Sequence, residues 1–411
     1  MLLENHTPIR TISGKTYHTD KLLGVGGQAQ VYLLKGGNFV FKRFTEDSSA
    51  DDMTRVRWLL AQKFSKDLPL ALPCDLVEQR DLRGYIAPFI KGESVAALSE
   101  RNPSYEQGVQ IAAGILSSLA EIHAYMTHGD VRAENILVTT DKVIFIDPDN
   151  YVAKGAPVQN CLGDLAVMAP EIRSSMDPRL VSTSSDVYAA AHLVHRFLML
   201  RDDTSFAQDG DEMFAALAAG RWHSDTFGGK GRRDDGIEGK GFRAEMLDSV
   251  TASLFRAAFS ADPKLRPTAA EFADHLNSIL RNGRITFCPA CRWPIIMELG
   301  RTHCVHSHHC GKPLPLPLVL LPNGKTVPLD QPLVIGREHV GQERVSSRHV
   351  MLTRAGNLVV ARDLKSTNGS EMYVDGHWSV MSPSTDVYLE PHPTAPVLRL
   401  AGKVDLKLIY G

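Results

Sequence analysis

His128-Gly129-Asp130-Val131-Arg132-Ala133-Glu134-Asn135 is followed, twelve residues past Asn135, by Asp147, which closes the apolar run Val143-Ile144-Phe145-Ile146. A carboxylate to orient a hydroxyl, an amide for a cation and a second carboxylate for a cation match what phosphoryl transfer requires. That chemistry is mainly positioning and neutralisation of phosphate charge by Mg2+. Each residue type is common by itself; the order and spacing carry the reading.

Upstream, Gly24-Val25-Gly26-Gly27-Gln28-Ala29-Gln30-Val31 lies between two strand-like runs. A glycine-rich hairpin lets backbone N–H groups approach phosphates where a side chain would clash. Gly24, Gly26, Gly27 and Val31 are therefore candidate nucleotide contacts. Lys42 ends the strand-like Phe39-Val40-Phe41, where its ammonium would reach the α- and β-phosphates. Downstream come Ala169-Pro170-Glu171, Asp186 opening a helix, and Arg266 within Asp262-Pro263-Lys264-Leu265-Arg266-Pro267. The first stretch, roughly 10 to 90, is strand-rich with one helix around Met53 to Phe64; from about 104 to 280 the period is helical. Ser104 with Gln107, and Thr268 with Glu271, are capping-box pairs that start helices. Phe227 to Gly241, rich in Gly and in charges of both signs, reads as a surface insertion.

These ordered motifs resemble the protein-kinase superfamily over roughly residues 10 to 282, in its bacterial Hanks-type (eukaryotic-like) Ser/Thr form. The resemblance implies an α+β bilobal fold, with an N-lobe of about 10–90, a C-lobe of about 91–282 and ATP in the cleft. By it, Asp130 is the catalytic base and Lys42 the phosphate-binding lysine, while Asn135 and Asp147 hold magnesium. Arg132 stands at the catalytic-loop lysine position. Glu171 and Arg266 look like the ion pair of the large lobe, Asp186 like the carboxylate bracing the catalytic loop, and Pro88 to Gly92 like the hinge that receives adenine.

Several positions depart from that pattern. Ala29 replaces the third loop glycine, and Gly129 replaces the arginine before the catalytic aspartate. Between Asp147 and Glu171 there is no Ser or Thr, and Tyr151 carries the one hydroxyl, so switching by Ser/Thr phosphorylation of this segment is not expected. Asp147-Pro148-Asp149 stands where the family has Asp-Phe-Gly. The stretch from Asp47 to Asp75 contains no Glu, so the helix that usually supplies a partner for Lys42 cannot do so; Gln62 or Asp147 itself is the expected substitute. Asp164 occupies the place of a threonine near the catalytic aspartate. The rival reading is a pseudokinase scaffold that assembles a phospho-dependent complex without transfer. A small-molecule kinase would share the catalytic loop, but Ala169-Pro170-Glu171 and the Glu171–Arg266 pair argue against it.

Of six cysteines, four fall in Cys288-Pro-Ala-Cys291, Cys304 and Cys310, with Cys74 and Cys161 alone. The spacing, C-x2-C-x12-C-x5-C, resembles a zinc ribbon that closes a thiolate site for structural Zn2+. A regular second knuckle would place a cysteine at Ser307, and His303, His306, His308 or His309 is an alternative ligand. A Pro-rich linker completes this segment, residues 283–317.

From about 318 to 411, short alternating strands are separated by turns such as Asn323-Gly324, Asn368-Gly369 and Asp375-Gly376, the rhythm of an all-β sandwich. Gly336-Arg337, Ser346-Ser347-Arg348-His349 and Asp363-Leu364-Lys365-Ser366-Thr367-Asn368-Gly369 resemble the FHA family. That resemblance implies a phosphothreonine reader. Arg337 and Ser346 offer donors to the phosphate, Ser347 and Thr367 add contacts, Asn368 holds the peptide backbone, and His349 pins the loop.

The composition is globular: 43% hydrophobic, 22% charged, formal net charge −2 over 411 residues. Such a balance points away from nucleic acid and anionic membranes as partners. MLLENHTPIR lacks a signal peptide's apolar stretch, and the cytoplasm is the expected address. The expected partners are protein substrates and a phosphothreonine on another protein or on this chain. The order kinase, Cys/His segment, FHA is also similar to the kinase of bacterial von Willebrand–phosphatase–kinase triads of tellurite-resistance type. That similarity implies a phosphatase and a von Willebrand-type protein as further partners.

Overall fold

Alternating apolar residues build an antiparallel sheet of six strands: β1 (Pro8–Arg10), β2 (Thr16–Val25), β3 (Ala29–Leu34), β4 (Phe39–Phe44), β5 (Asp75–Gln79) and β6 (Leu82–Pro88), ordered β1-β2-β3-β4-β6-β5. Tyr32, Phe41, Val77 and Ile86 alternate onto one buried face, and Ala29, Phe44, Leu76 and Tyr85 onto the other. Helix α1 (Ser49–Ala61) packs Met53 and Val56 against that second face. The strand that carries Lys42 runs on to Phe44, so the lysine lies within β4 and pairs across to Tyr85 on β6.

This computed structural model describes residues 2–27, 29–45, 49–79, 82–159, 163–200, 211, 215, 217, 219–220, 222, 244, 247–306, 310–374, 376–392 and 395–410. Gln28, Asp47, Cys161, the stretch Phe227 to Gly241, Ser307, His308, His309 and Asp375 lie outside them.

After β6 the chain forms β7 (Glu93–Ser94), α2 (Val95–Glu100) and α3 (Tyr105–His123), the last opened by the expected capping box between Ser104 and Gln107. Val109, Ile115, Leu116, Leu119 and Ile122 of α3 are fully buried. Strands β8 (Ile136–Val138) and β9 (Val143–Phe145) pair antiparallel, and the functional loops flank them. Helices α4 (Pro170–Ser175), α5 (Thr183–Met199), α6 (Ser249–Ala258) and α7 (Ala269–Arg281) follow. Thr268 and Glu271 form the reciprocal cap of α7, at 2.7 and 3.1 Å.

The chain divides into two units, Met1–Gly241 with Ser253–Asp274, and Phe242–Ala252 with His275–Gly411. The second unit holds a small hairpin, β10 (Ile285–Phe287) and β11 (Pro294–Ile296), and two antiparallel sheets. The strands of these sheets are β12 (Pro317–Leu320), β13 (Thr326–Pro328), β14 (Leu333–Ile335), β15 (Val350–Ala355), β16 (Leu358–Asp363), β17 (Ser370–Val374), β18 (His377–Val380), β19 (Asp386–Leu389), β20 (Leu398–Leu400) and β21 (Val404–Tyr410). One sheet runs β13-β12-β21-β20-β17-β18 and the other β14-β15-β16-β19. Val319, Leu398 and Leu406 of the first share a core with Val350, Leu352 and Val359 of the second, which makes a sandwich. No helix among the described residues is long and apolar enough to cross a membrane.

Candidate functional site

In the first unit a cleft of about 1060 Å³ is lined by Gly24, Gly26, Gly27, Val31, Lys42, Asp130, Arg132 and Asp147. Those eight residues span the sequence from Gly24 to Asp147, and the fold brings them to one place. The glycine hairpin closes with Gly26 N–H donating to Ala29 O at 2.8 Å. Apolar walls come from Val40, Ala71, Ala87 and Leu137, and the expected hinge contributes Pro88, Phe89 and Ile90.

The catalytic-loop candidates are fixed from behind. Asp186, in the first turn of α5 and buried, accepts the backbone N–H of His128 at 2.7 Å and of Gly129 at 3.0 Å. Gly129 has φ +81°, and a Cβ there would lie 2.1 Å from Asn150 O. No side chain fits, which accounts for the missing arginine. Asn135 lies behind Asp130, its Nδ2 donating to Asp130 O at 3.1 Å and Oδ2 at 2.8 Å. The amide's other atom, Oδ1, is the one a cation would take. Arg132 Nε stands 3.5 Å from Asp130 Oδ2. Burial raises the Asp130 carboxyl against the pull of Arg132 and His128, and the nearby Asp147 charge adds to the rise.

Lys42 has one of its two expected partners, Asp147, and a second that was not expected, Asp149. Its ammonium binds Asp147 Oδ1 and, at 2.7 Å, Asp149 Oδ2. Gln62, just past the end of α1, is not its partner, because the Gln62 amide donates to Trp58 O at 3.0 Å. Asp149 also accepts the Tyr85 hydroxyl at 2.9 Å. Burial would lower the lysine, but the two carboxylates outweigh it and hold it above its ordinary value. Burial would likewise raise Asp147, yet Lys42 holds it below the usual carboxylate range. Asp149, deeper in, is pushed by burial up to about 6 against the pull of Lys42. Asp147 sits at φ +62°, ψ +63° just before Pro148, a left-handed turn that aspartate tolerates and that turns its carboxylate into the cleft.

Helix α1, which has no Glu, contributes an arginine to the segment after Asp147. Arg55 is buried; its Nε donates to Asp149 O at 3.0 Å and its terminal nitrogens to Tyr151 O and Pro157 O. Its guanidinium lies 4.4 Å from the Tyr151 ring centroid, and Trp58 stacks on that ring at 5.4 Å. Tyr151 is itself fully buried and donates to Arg55 O at 3.0 Å, so the segment's one hydroxyl is closed to modification in this arrangement. Asp149 and Arg55 were not singled out from sequence. The signal was available as a second acid after Asp147 and a basic residue on a helix without Glu.

Glu171 and Arg266 form a two-point pair at 2.8 and 2.7 Å, with the arginine side chain fully buried. Asp164 is exposed on the cleft rim, and its carboxylate accepts Ala166 N–H at 2.8 Å.

In the second unit, the sulfurs of Cys288, Cys291, Cys304 and Cys310 all lie within 4.8 Å of one another. The closest approaches are 3.8 Å for Cys288–Cys310 and 3.6 Å for Cys291–Cys304. A tetrahedral site with Zn–S of about 2.3 Å has edges of about 3.8 Å, whereas a disulfide needs about 2.05 Å. The donor set therefore fits a metal ion. Burial works against the Cys288 thiolate, but the N–H groups of Cys291 and Ala290 outweigh it and bring the thiol down to about 7. Of the alternative ligands, His306 stacks on Trp293 at 4.0 Å and His303 Nδ1 contacts Thr302 Oγ1 at 2.9 Å; neither belongs to the cluster.

The sandwich loops bring together Arg337, Ser346, Thr367 and Asn368. Arg337 N–H donates to Ser346 O at 3.0 Å, and Ser346 Oγ accepts Thr367 N–H at 3.1 Å. Asn368 Nδ2 donates to Arg344 O at 2.7 Å. Ser347 is exposed beside them, and its carbonyl explains Gly336: a Cβ there would lie 1.8 Å from Ser347 O. Buried His349 ties the loops, its ring joining Ser346 N–H at 3.1 Å to Gly369 O at 2.9 Å.

No protein-family model matches this chain, and no curated protein matches it in sequence. Among solved structures it is similar to vaccinia related kinase 3, with TM-score 0.52 and 16% identity over 69% of this chain and 94% of that one. It is also similar to Rad53 1–466 in complex with AMP-PNP, with TM-score 0.46 and 19% identity over 62% of this chain and 63% of that one, less than two thirds of its length. The likeness to vaccinia related kinase 3 shows a protein-kinase fold.

Proposed function

We propose that the chain is a Mg2+- and ATP-dependent protein kinase of the bacterial Ser/Thr type, acting in the cytoplasm and recruited to phosphothreonine through an FHA domain formed by the sandwich. The observation that carries this reading is the meeting of Lys42, Asp130 and Asp147 in one cleft under a glycine hairpin, with buried Asn135 bonded to Asp130. Asp147 carboxylate oxygens and Asn135 Oδ1 are the hard donors that would hold magnesium, which supplies neutralisation of the β- and γ-phosphates when bound. Asp130 orients the substrate hydroxyl and takes its proton; the burial that raises its carboxyl brings it toward the range useful to a base. Lys42 neutralises phosphate charge, and Arg132 supplies a further cation beside Asp130. The class of hydroxyl is tested by phosphoamino-acid analysis of the product. Phosphoserine or phosphothreonine is expected, and phosphotyrosine alone would contradict the Ser/Thr assignment.

The loop cluster of Arg337, Ser346, Ser347, Thr367 and Asn368 is read as the phosphothreonine site, with Arg337 and Ser346 on the phosphate. Its ligand would lie on a partner or elsewhere on this chain, since the segment between Asp147 and Glu171 contains no threonine. Protein substrates, a phosphatase and a von Willebrand-type protein are the proposed partners. Docking through such a domain raises the effective concentration of substrate without new catalytic contacts. Arg337→Ala is expected to weaken phosphothreonine-peptide binding by about a hundredfold, the loss of a charge-assisted fork. Calorimetry with phosphorylated and plain peptides checks this, and retained affinity would refute the assignment.

The cysteine cluster is read as a structural zinc site. Four thiolates fill a tetrahedron, so no position remains open for catalysis.

A further inference from the structure

The Lys42 ammonium is held by two carboxylates that differ in how they are themselves held. Asp149 is bonded at both oxygens, Oδ2 to Lys42 at 2.7 Å and Oδ1 to the Tyr85 hydroxyl at 2.9 Å. Its backbone carbonyl accepts Arg55 Nε at 3.0 Å, and the turn around it begins with buried Pro148. Asp147 takes a side-chain hydrogen bond from Lys42 alone among the described residues, and its side chain is 28% exposed against 14% for Asp149. One carboxylate is anchored at the back of the cleft; the other faces the open space and is tied only to the lysine.

We propose that Asp149 is the standing partner of Lys42, a positioning residue that does the work of the absent helix glutamate and leaves Asp147 free to turn to the metal. This rests on the kinase reading of the cleft. Two requirements compete for Asp147 in this chain. With no Glu on α1, a lysine paired only to Asp147 would lose its partner whenever that carboxylate took a cation. A second acid two residues on, locked by Tyr85 and tied to α1 through Arg55, removes the conflict. The usual contact between helix and lysine is thereby rebuilt in two steps: Arg55 holds the Asp149 backbone, and the Asp149 side chain holds Lys42. The coupling of α1 to the cleft then runs through the segment that also carries the metal ligand, so displacement of α1 would disturb both together.

The test is ATP affinity by calorimetry on the full chain, with excess Mg2+ and again with Mg2+ omitted and no chelator added, for wild type, Asp149→Asn and Asp149→Glu. With Mg2+, Asp149→Asn is expected to bind ATP about tenfold more weakly, because Lys42 and the cation now compete for Asp147. Without Mg2+ the same variant is expected to bind ATP as well as wild type or better, since a negative charge has left the phosphate site and Asp147 still holds the lysine. Asp149→Glu, which keeps the charge, should recover part of the Mg2+-dependent affinity. A merely structural role would weaken binding in both conditions alike, and that result, or no change in either, would overturn the proposal. If Asp149→Asn does not fold, Tyr85→Phe, which removes only the phenol that anchors Asp149, should show the same split in smaller degree; equal losses would again overturn it. Failure of wild type to bind ATP in either condition would instead remove the kinase reading itself.

Discussion

Asp130→Asn is expected to slow phosphoryl transfer about a thousandfold while leaving ATP affinity within about twofold. The substitution is nearly isosteric. Its amide oxygen still accepts the Asn135 Nδ2 bond now made at 2.8 Å, so the loop held by Asp186 should keep its shape. What is lost is the group that takes the substrate proton. On the proposed reading the split between affinity and rate follows from role, Asp130 serving the hydroxyl and Lys42 with the glycine hairpin the phosphates. Single-turnover rates and equilibrium titration on the same preparation check both halves. A variant that lost ATP binding as severely as rate would point to collapse of the loop.

Removal of metal from the cysteine cluster is expected to destabilise the second unit by up to about 10 kcal/mol, the lower end of what structural zinc supplies in short peptides. The hairpin of β10 and β11 has little core of its own. Cys288, Cys304, Ile295 and Met297 pack with Leu314 and with Leu358 of the sandwich, and Asn357 Nδ2 donates to Thr286 Oγ1 at 3.0 Å. Without a cation these sulfurs take up protons, burial and their neighbours favouring the neutral thiol at Cys291 and Cys304, and nothing then ties the four together, so the packing should open with the site. Thermal melting with and without a strong chelator, alongside elemental analysis, measures the effect. An unchanged melting profile after the metal has been stripped would sink the structural-zinc reading, and Cys288→Ser should reproduce the loss without chelator.

The grouping of the loop from His128 to Asn135 with Asp147 was legible because the chemistry proposed for it demands a fixed order of residue types over a short span. His128 to Asn135 and Asp147 keep that order, and the structure assembles them without rearrangement. Helix starts at Ser104 and Thr268 were legible for a related reason: a cap is a local event whose two partners lie three residues apart. The partners of Lys42 were legible only in part: Asp147 was one of two expected, and Asp149 was not among them. The pairing joins residues more than a hundred positions apart, and the absence of Glu on α1 left an amide and a carboxylate as equally plausible fillers. Gln62 fell away because its side chain satisfies the Trp58 carbonyl in the last turn of α1. Asp149 entered because Pro148 turns the chain back under Tyr85, a tertiary fact with no local signature. The cysteines show the opposite case. Their spacing was irregular, and the neighbouring histidines obscured the ligand set, yet three dimensions bring four sulfurs together and leave His303 and His306 in other contacts. Gly129 and Gly336 show how a departure or a motif gains its reason only from what a Cβ would strike.

The central claim is that this cleft transfers phosphate. It is tested most directly by single-turnover transfer from γ-labelled ATP with Mg2+, using the full chain and a panel of protein acceptors that includes the chain itself, with Asp130→Asn in parallel. Label on serine or threonine, dependent on Mg2+ and reduced about a thousandfold in the variant, is the expected result. Wild type no faster than Asp130→Asn on every acceptor would contradict it, and would leave a nucleotide-binding scaffold in place of an enzyme.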